Sequence, residues 1–157
     1  MSGYAECPGS RMVDFTKKDA PEEAGGRVAS QLRQWPIQLH LVSPQAPYYK
    51  GADVLLAADC VPFAMGNFHT DALKGKALAI ACPKLDGGQD LYLAKIKGWI
   101  DDAKISTLTV MIMQVPCCRG LLGTALAAAR QARRKIPIRC VVLGLQGDVL
   151  QEEWVEA

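Results

Sequence analysis

Aromatic residues are scarce. Phe, Trp and Tyr make up 6% of the 157 residues, so a core has to be built from Ala, Val, Leu and Ile. Surplus charge is missing as well. Lys and Arg number 18 against 16 Asp and Glu, and the net charge of +2 carries no polyanion-binding footprint. The balance holds along the chain, with 8 basic and 8 acidic residues in 1–78, and 10 and 8 in 79–157. No apolar run approaches the roughly 20 residues that span a bilayer. The longest, from Val54 to Met65, is broken by Asp59 and Pro62. No nucleic-acid partner and no membrane association are therefore expected. The opening Met-Ser-Gly-Tyr-Ala-Glu-Cys has neither the basic start nor the apolar stretch of a secretory signal. That predicts a cytoplasmic protein, where thiols stay reduced. There is no G-x-x-x-x-G-K-[ST], G-x-G-x-x-G, H-E-x-x-H or G-x-S-x-G, so the common nucleotide, zinc-protease and serine-hydrolase sites have no sequence support.

What is present is a globular composition, 50% apolar and 22% charged, in a chain of one domain's length. The first 35 residues are polar and weakly patterned, and Lys17 to Gly26 reads as a loop. Five short apolar runs follow at Ile37–Val42, Asp53–Ala58, Ala77–Ala81, Leu108–Val115 and Ile138–Leu145. Each is bounded by Gly, Pro or Asp and reads as a strand. The middle three are nearly continuous in apolar character, which suits strands covered on both faces of a parallel sheet. Ile37–Val42 alternates instead and reads as an edge strand. Helices fill the gaps. Leu93, Ile96, Ile100 and Ala103 recur at helical spacing behind Asp90, and Leu122, Ala125, Leu126, Ala129 and Ala132 form a second stripe. A shorter helix is predicted over Asn67 to Lys74, and one turn over Pro47 to Gly51. Alternating strands and helices predict a single three-layer α/β domain with a mainly parallel five-stranded sheet, Rossmann or flavodoxin-like.

Six cysteines in a reducing compartment need a reason. None of Cys7, Cys60, Cys82, Cys117, Cys118 and Cys140 is spaced as C-x-x-C, which argues against a zinc ribbon, a thioredoxin motif or a ferredoxin run. Their placement is the informative feature. Asp53–Ala58 leads into Asp59-Cys60, Ala77–Ala81 into Cys82-Pro83, and Leu108–Val115 into Pro116-Cys117-Cys118. In a parallel sheet these thiols share the carboxyl edge, where open α/β sheets bind ligands. Neighbouring strands lie about 4.8 Å apart, so adjacent strand ends can surround a compact metal centre. Cys118 opens a helix, whose positive end favours a thiolate, and Gly120 and Gly123 allow close approach. All-sulfur ligation suits an iron–sulfur cluster or zinc, and softness alone does not choose. Cys140, inside an apolar strand, reads as core filling.

The runs CPGS (7–10), QLRQWP (31–36), ADCVPFA (58–64), FHTDALKGK (68–76), CPKLD (82–86) and VPCC (115–118) resemble a family of iron–sulfur proteins of anaerobic bacteria, of the 4Fe-4S ferredoxin type. The resemblance extends from Cys7 to about Val149. It implies a 4Fe-4S cluster, adds Cys7 to the ligand candidates, and gives five for four places: Cys60, Cys82 and Cys117 first, then Cys118 and Cys7. Family members often carry an N-terminal ferredoxin domain, which this sequence lacks, so the resemblance implies either a shorter member or only the C-terminal cysteine-containing α/β domain of one. The expected organisation is an N-terminal extension carrying Cys7 (1–35), the iron–sulfur-binding α/β domain (36–150) and an acidic tail (151–157).

Other residues have simpler readings. His69 could ligate iron, bond a cluster sulfur or move protons, but a solvent-facing or capping histidine is the plainer reading. His40 reads as surface. Asp59 reads as bonding nearby backbone N–H groups, and Lys84-Leu85-Asp86 as orienting the site. Arg130, Arg133, Arg134, Lys135 and Arg139 form either a solvated helix end or a docking patch for an acidic redox partner. The expected function is an electron carrier or redox accessory that presents its cluster to a partner protein, without catalysis of its own. Alternatives are an enzyme binding substrate at an open iron site, and a structural zinc or cluster-scaffold protein.

Overall fold

A computed structural model describes residues 11–16 and 26–157. The apolar runs become strands wherever both faces are covered. Strands β3 (Asp53–Ala58), β4 (Ala77–Ala81), β5 (Thr107–Met113) and β6 (Ile138–Leu143) pair in parallel, and β7 (Val149–Val155) adds antiparallel to β6. The order is β4-β3-β5-β6-β7. This is the flavodoxin-like order with its last strand reversed. A two-residue ladder, β1 (Val13–Asp14) with β2 (Gln34–Trp35), stands apart.

Right-handed crossovers distribute the helices. The β3–β4 connection carries a short α1 (Val61–Ala64) and a π-helical turn, Phe68–Leu73, on one face. The connections on either side of β5 carry α2 (Gln89–Asp101) and α3 (Arg119–Gln131), which pack together on the other. The α2 helix buries Tyr92, Ile96, Trp99 and Ile100. The α3 helix buries Leu121, Ala125, Ala128 and Ala129, a stripe rotated slightly from the predicted one. The few aromatics are concentrated. Tyr48, Tyr49 and Trp99 stack in series at centroid separations of 4.8 and 5.0 Å.

Three expectations are corrected. Ile37–Val42 is not a strand. Ile37 accepts from Ile80 N–H and Leu39 donates to Ile80 C=O, but the chain then turns as Leu41 and Val42 both donate to Gln38 C=O. Lys95 Nζ holds the freed carbonyls of Leu39 and His40 at 2.9 and 2.8 Å. The buried residues are consequently Leu39 and Val42, with Leu41 exposed. His40 is half-buried rather than surface, its ring 4.5 Å from that of Tyr92. The acidic segment 151–157 is not a tail outside the domain, because Gln151 to Val155 belong to β7. A turn at Gly144–Asp148 returns the chain along β6, and Arg139 pairs with Glu152 at 2.7 Å.

Gln34 closes the outer edge of β4. It is 1% exposed. Its Oε1 accepts from Leu78 N–H at 2.8 Å and its Nε2 donates to Leu78 C=O at 2.8 Å. The side-chain amide thus stands where a neighbouring strand's peptide would. Tyr49 Oη donates to the same carbonyl at 2.9 Å. With Ile80 held by Ile37 and Leu39, the edge has partners at both outward-facing residues. Gln34→Ala should destabilise the fold by about 3 kcal/mol, because it strands a buried N–H and opens a void. Urea denaturation of the two proteins checks this.

Candidate functional site

The sheet order brings the cysteine-bearing strand ends together. Strands β4, β3 and β5 are adjacent and parallel. Cys82 follows β4 directly, Cys60 lies two residues past β3, and Cys117 and Cys118 occupy a 3-10 turn, Pro116–Cys118, between β5 and α3. Chain direction reverses across the sheet between β3 and β5, which is the switch point where such sheets bind ligands. Cys60 and Cys117 are exposed, Cys82 is half-buried and Cys118 is buried, and all are free thiols. Burial pushes the Cys118 thiol up, a backbone hydrogen bond at Met113 works against it, and the thiols of Cys117 and Cys60 raise it further. Among the described residues, no three Cys, His, Asp or Glu side chains converge tightly enough to hold a single metal ion. Cys7 lies outside the described residues. Cys140 sits inside β6, buried, opposite Val110 and Glu153, as core filling requires.

A polar network holds the Cys82 loop. The Asp86 carboxylate accepts the Cys82 N–H at 2.9 Å, and Asp86 N–H donates to Cys82 C=O at 2.8 Å. Tyr92, from α2, donates its hydroxyl to the same Asp86 oxygen. Gln89 Nε2 donates to Pro83 C=O at 2.6 Å. Burial raises the Tyr92 phenol far above its ordinary value, as do Asp86, Asp59 and Cys82, so it stays a donor. Asp59 does not behave as expected. Its Oδ1 is buried with no hydrogen-bond partner, and burial followed by the Asp86 charge raises its carboxyl. Tyr92 was invisible as a site residue because it occupies an apolar helix position, where an aromatic reads as core.

The surroundings are tight on one side and open on the other. A Cβ on Gly120 would lie 3.4 Å from Pro83 Cβ, about van der Waals contact, so the first turn of α3 packs close against the Cys82 loop. Gly123 has open space around its Cα, so close approach does not require it. Gly147 has φ +92°, and a side chain there would strike the Ala64 carbonyl, so the β6–β7 turn rests on the end of α1. The segments after β3, β4 and β6 each expose an apolar side chain: Phe63 of α1 at 92%, Leu85 at 83% and Leu145 at 62%. His69 neither caps a helix nor faces only solvent. It lies in the π-helical turn, and its Nδ1 accepts Gln31 N–H at 3.0 Å, which leaves the proton on Nε2 and ties down the segment leading to β2.

The basic cluster belongs to the other end of the molecule, where α3 gives way to β6. Buried Asp101 accepts the N–H groups of Arg133 and Arg134 at 2.8 and 3.2 Å, and Arg134 Nη1 donates to Ile100 C=O at 2.7 Å. Lys97 approaches Asp101 at 3.3 Å. These cations hold the α2 and α3 ends together.

Residues 46–156 match the Rossmann-like domain family, and the chain belongs to it. A protein of Archaeoglobus fulgidus, named only "Uncharacterized protein", is 34% identical over 93 residues. That alignment covers 58% of this chain and 63% of the relative, so the chain spans less than two-thirds of the curated relative it matches. No solved structure gives a significant match. Among the described residues, no helix is long and apolar enough to cross a membrane.

Exposure and proton affinity together order the thiols. Iodoacetamide at pH 8 should modify Cys60 and Cys117 first, Cys82 next, and Cys118 and Cys140 at least about ten times more slowly, since only an accessible thiolate reacts. A raised thiol pKa means less thiolate at a given pH, so raising the pH should narrow the gap for Cys118. Peptide mass spectrometry of a time course measures both effects.

Proposed function

We propose that the chain is an iron–sulfur protein, holding a 4Fe-4S cluster at the carboxyl edge of β4, β3 and β5 and serving as an electron carrier or redox accessory. The observation that supports this most is the arrival of Cys60, Cys82, Cys117 and Cys118 from three adjacent parallel strands at one switch-point rim. The donor chemistry fits. The thiols are soft and free, and thiolate is the usual ligand of iron–sulfur clusters. A single zinc ion would draw its sulfurs to about 2.3 Å from one point. A four-iron core takes one sulfur per iron and accommodates thiols that stand further apart.

Each residue then has a task. Cys60, Cys82 and Cys117 are the principal ligands, with Cys118 and Cys7 available for the remaining iron. The positive end of α3 beside Cys118 and the N–H groups of its first turn offset the negative charge of bound thiolates. When bound, such a cluster supplies one-electron transfer. Phe63, Leu85 and Leu145 give the rim an exposed apolar surface, and a redox partner protein would meet the chain there, close to Cys60 and Cys117. The basic cluster is a poorer docking candidate, because the Arg134 and Arg139 side chains are held by the Ile100 carbonyl and Glu152.

Anaerobic reconstitution with iron and sulfide should give a brown protein with about four irons and four sulfides per chain. Cys60→Ser, Cys82→Ser and Cys117→Ser should each lose or destabilise the chromophore, and Cys140→Ser should keep the full iron content. A colourless protein loaded with zinc would replace this reading with a structural zinc site. A requirement for Cys140 with Cys82 dispensable would remove the rim as the site.

A further inference from the structure

We infer that Asp86, anchored by Tyr92, is a positioning residue that presets the backbone of Cys82 for ligation and holds a negative charge beside that ligand. The inference rests on the iron–sulfur reading of the rim and goes further, by assigning work to a residue that touches no metal.

The geometry is unusual in being closed on both sides of one Cα. Cys82 N–H is taken by the Asp86 carboxylate at 2.9 Å, and Cys82 C=O is taken by Asp86 N–H at 2.8 Å. One residue therefore fixes the two peptide groups that flank the Cys82 Cα. The thiol is left with a single torsion, χ1, to search. Ordering a free backbone costs conformational entropy, and here that ordering is complete before any ligand arrives. The loop is in turn fastened to α2. Tyr92, 1% exposed, donates to the carboxylate oxygen that receives Cys82 N–H. Gln89 holds Pro83 C=O. The neighbouring Cys60 has no such arrangement. It lies at the N-terminal boundary of α1, its carbonyl accepts from Phe63 and Ala64, and it is exposed. The clamp is thus specific to the strand-end cysteine that follows β4.

The charge has its own consequence. A carboxylate beside a cluster ligand stabilises the more oxidised, less negative state, so removing it should make reduction easier. The clamp and the charge separate in two substitutions. Asp86→Asn removes the charge and retains one acceptor for Cys82 N–H. Tyr92→Phe keeps the charge and removes the anchor.

The test has one arm on the reduced, metal-free full chain and one on the reconstituted protein. In the first, the iodoacetamide rate of Cys82 is read against that of Cys117 in the same molecule. Tyr92→Phe should raise this ratio about fivefold, the weight of one hydrogen bond of about 1 kcal/mol, and Asp86→Asn, which weakens the charge-assisted bond to Cys82 N–H without removing it, should raise it less. In the second arm, Asp86→Asn should shift the cluster's reduction potential to more positive values, and Tyr92→Phe should shift it less. An unchanged Cys82 ratio in both variants, with melting temperatures near wild type, overturns the positioning role. Should Asp86→Asn fail to fold, the ratio in Tyr92→Phe decides alone. A potential that moves equally in both variants overturns the assigned charge effect. Wild-type chain that takes up no iron removes the proposed function, while the alkylation ratio still reports whether Asp86 holds Cys82. Iron uptake with an unchanged ratio removes the positioning role alone.

Discussion

Parallel pairing of β4, β3 and β5 is the constraint on which everything else rests. Strands that run the same way must all leave the sheet at the same edge. Whatever residue type follows each strand therefore accumulates on one rim, however far apart the segments are in sequence. Cys60, Cys82 and the Cys117-Cys118 pair are separated by more than twenty residues at each step, yet the register of three adjacent strands makes them neighbours. In an antiparallel sheet the same positions would alternate between opposite ends. The covering of both faces, by α2 and α3 on one side and by α1 and the π-helical turn on the other, is what makes parallel pairing tenable.

The two ends of the sheet divide the labour. At the amino edge the charges neutralise one another: buried Asp101 gathers Lys97 and the backbone of Arg133 and Arg134, which fixes where α3 ends and β6 begins. At the carboxyl edge the free thiols gather, with the buried Asp59 Oδ1 and the exposed Phe63, Leu85 and Leu145 on the same segments; buried polar atoms without a hydrogen-bond partner also occur elsewhere, at Tyr48 Oη, Trp99 Nε1 and Arg139 Nε.

Much of this was legible from residue order. Asp53–Ala58 and Ala77–Ala81 were readable to the residue, because a strand buried on both faces is continuous in apolar character and its ends are marked by the first polar group. The common rim of Cys60, Cys82 and Cys117 followed from that reading alone. The misreadings share a cause. Ile37–Val42 alternates as a strand does, but two groups distant in sequence, Ile80 and the Lys95 ammonium, hold it where it turns. The last strand runs Val-Leu-Gln-Glu-Glu-Trp-Val, nearly all exposed, so no burial pattern announces it, and only the hairpin turn at Gly144–Asp148 does. Gln34 reads as an ordinary polar residue before Trp35. Its role exists only once Leu78, forty-four positions away, is beside it.

The amide of Gln34 has a consequence for association. Sheets lengthen by adding strands at open sides, and a molecule with two such sides can string together without end. Here the flank beyond β4 is plugged by a side chain that no incoming strand can displace without exposing Leu78. On the five-stranded sheet the other flank is β7, among the described residues, and it carries Glu152 and Glu153. A sheet closed on one flank can be extended from the other alone, and carboxylates there oppose the approach of a like strand.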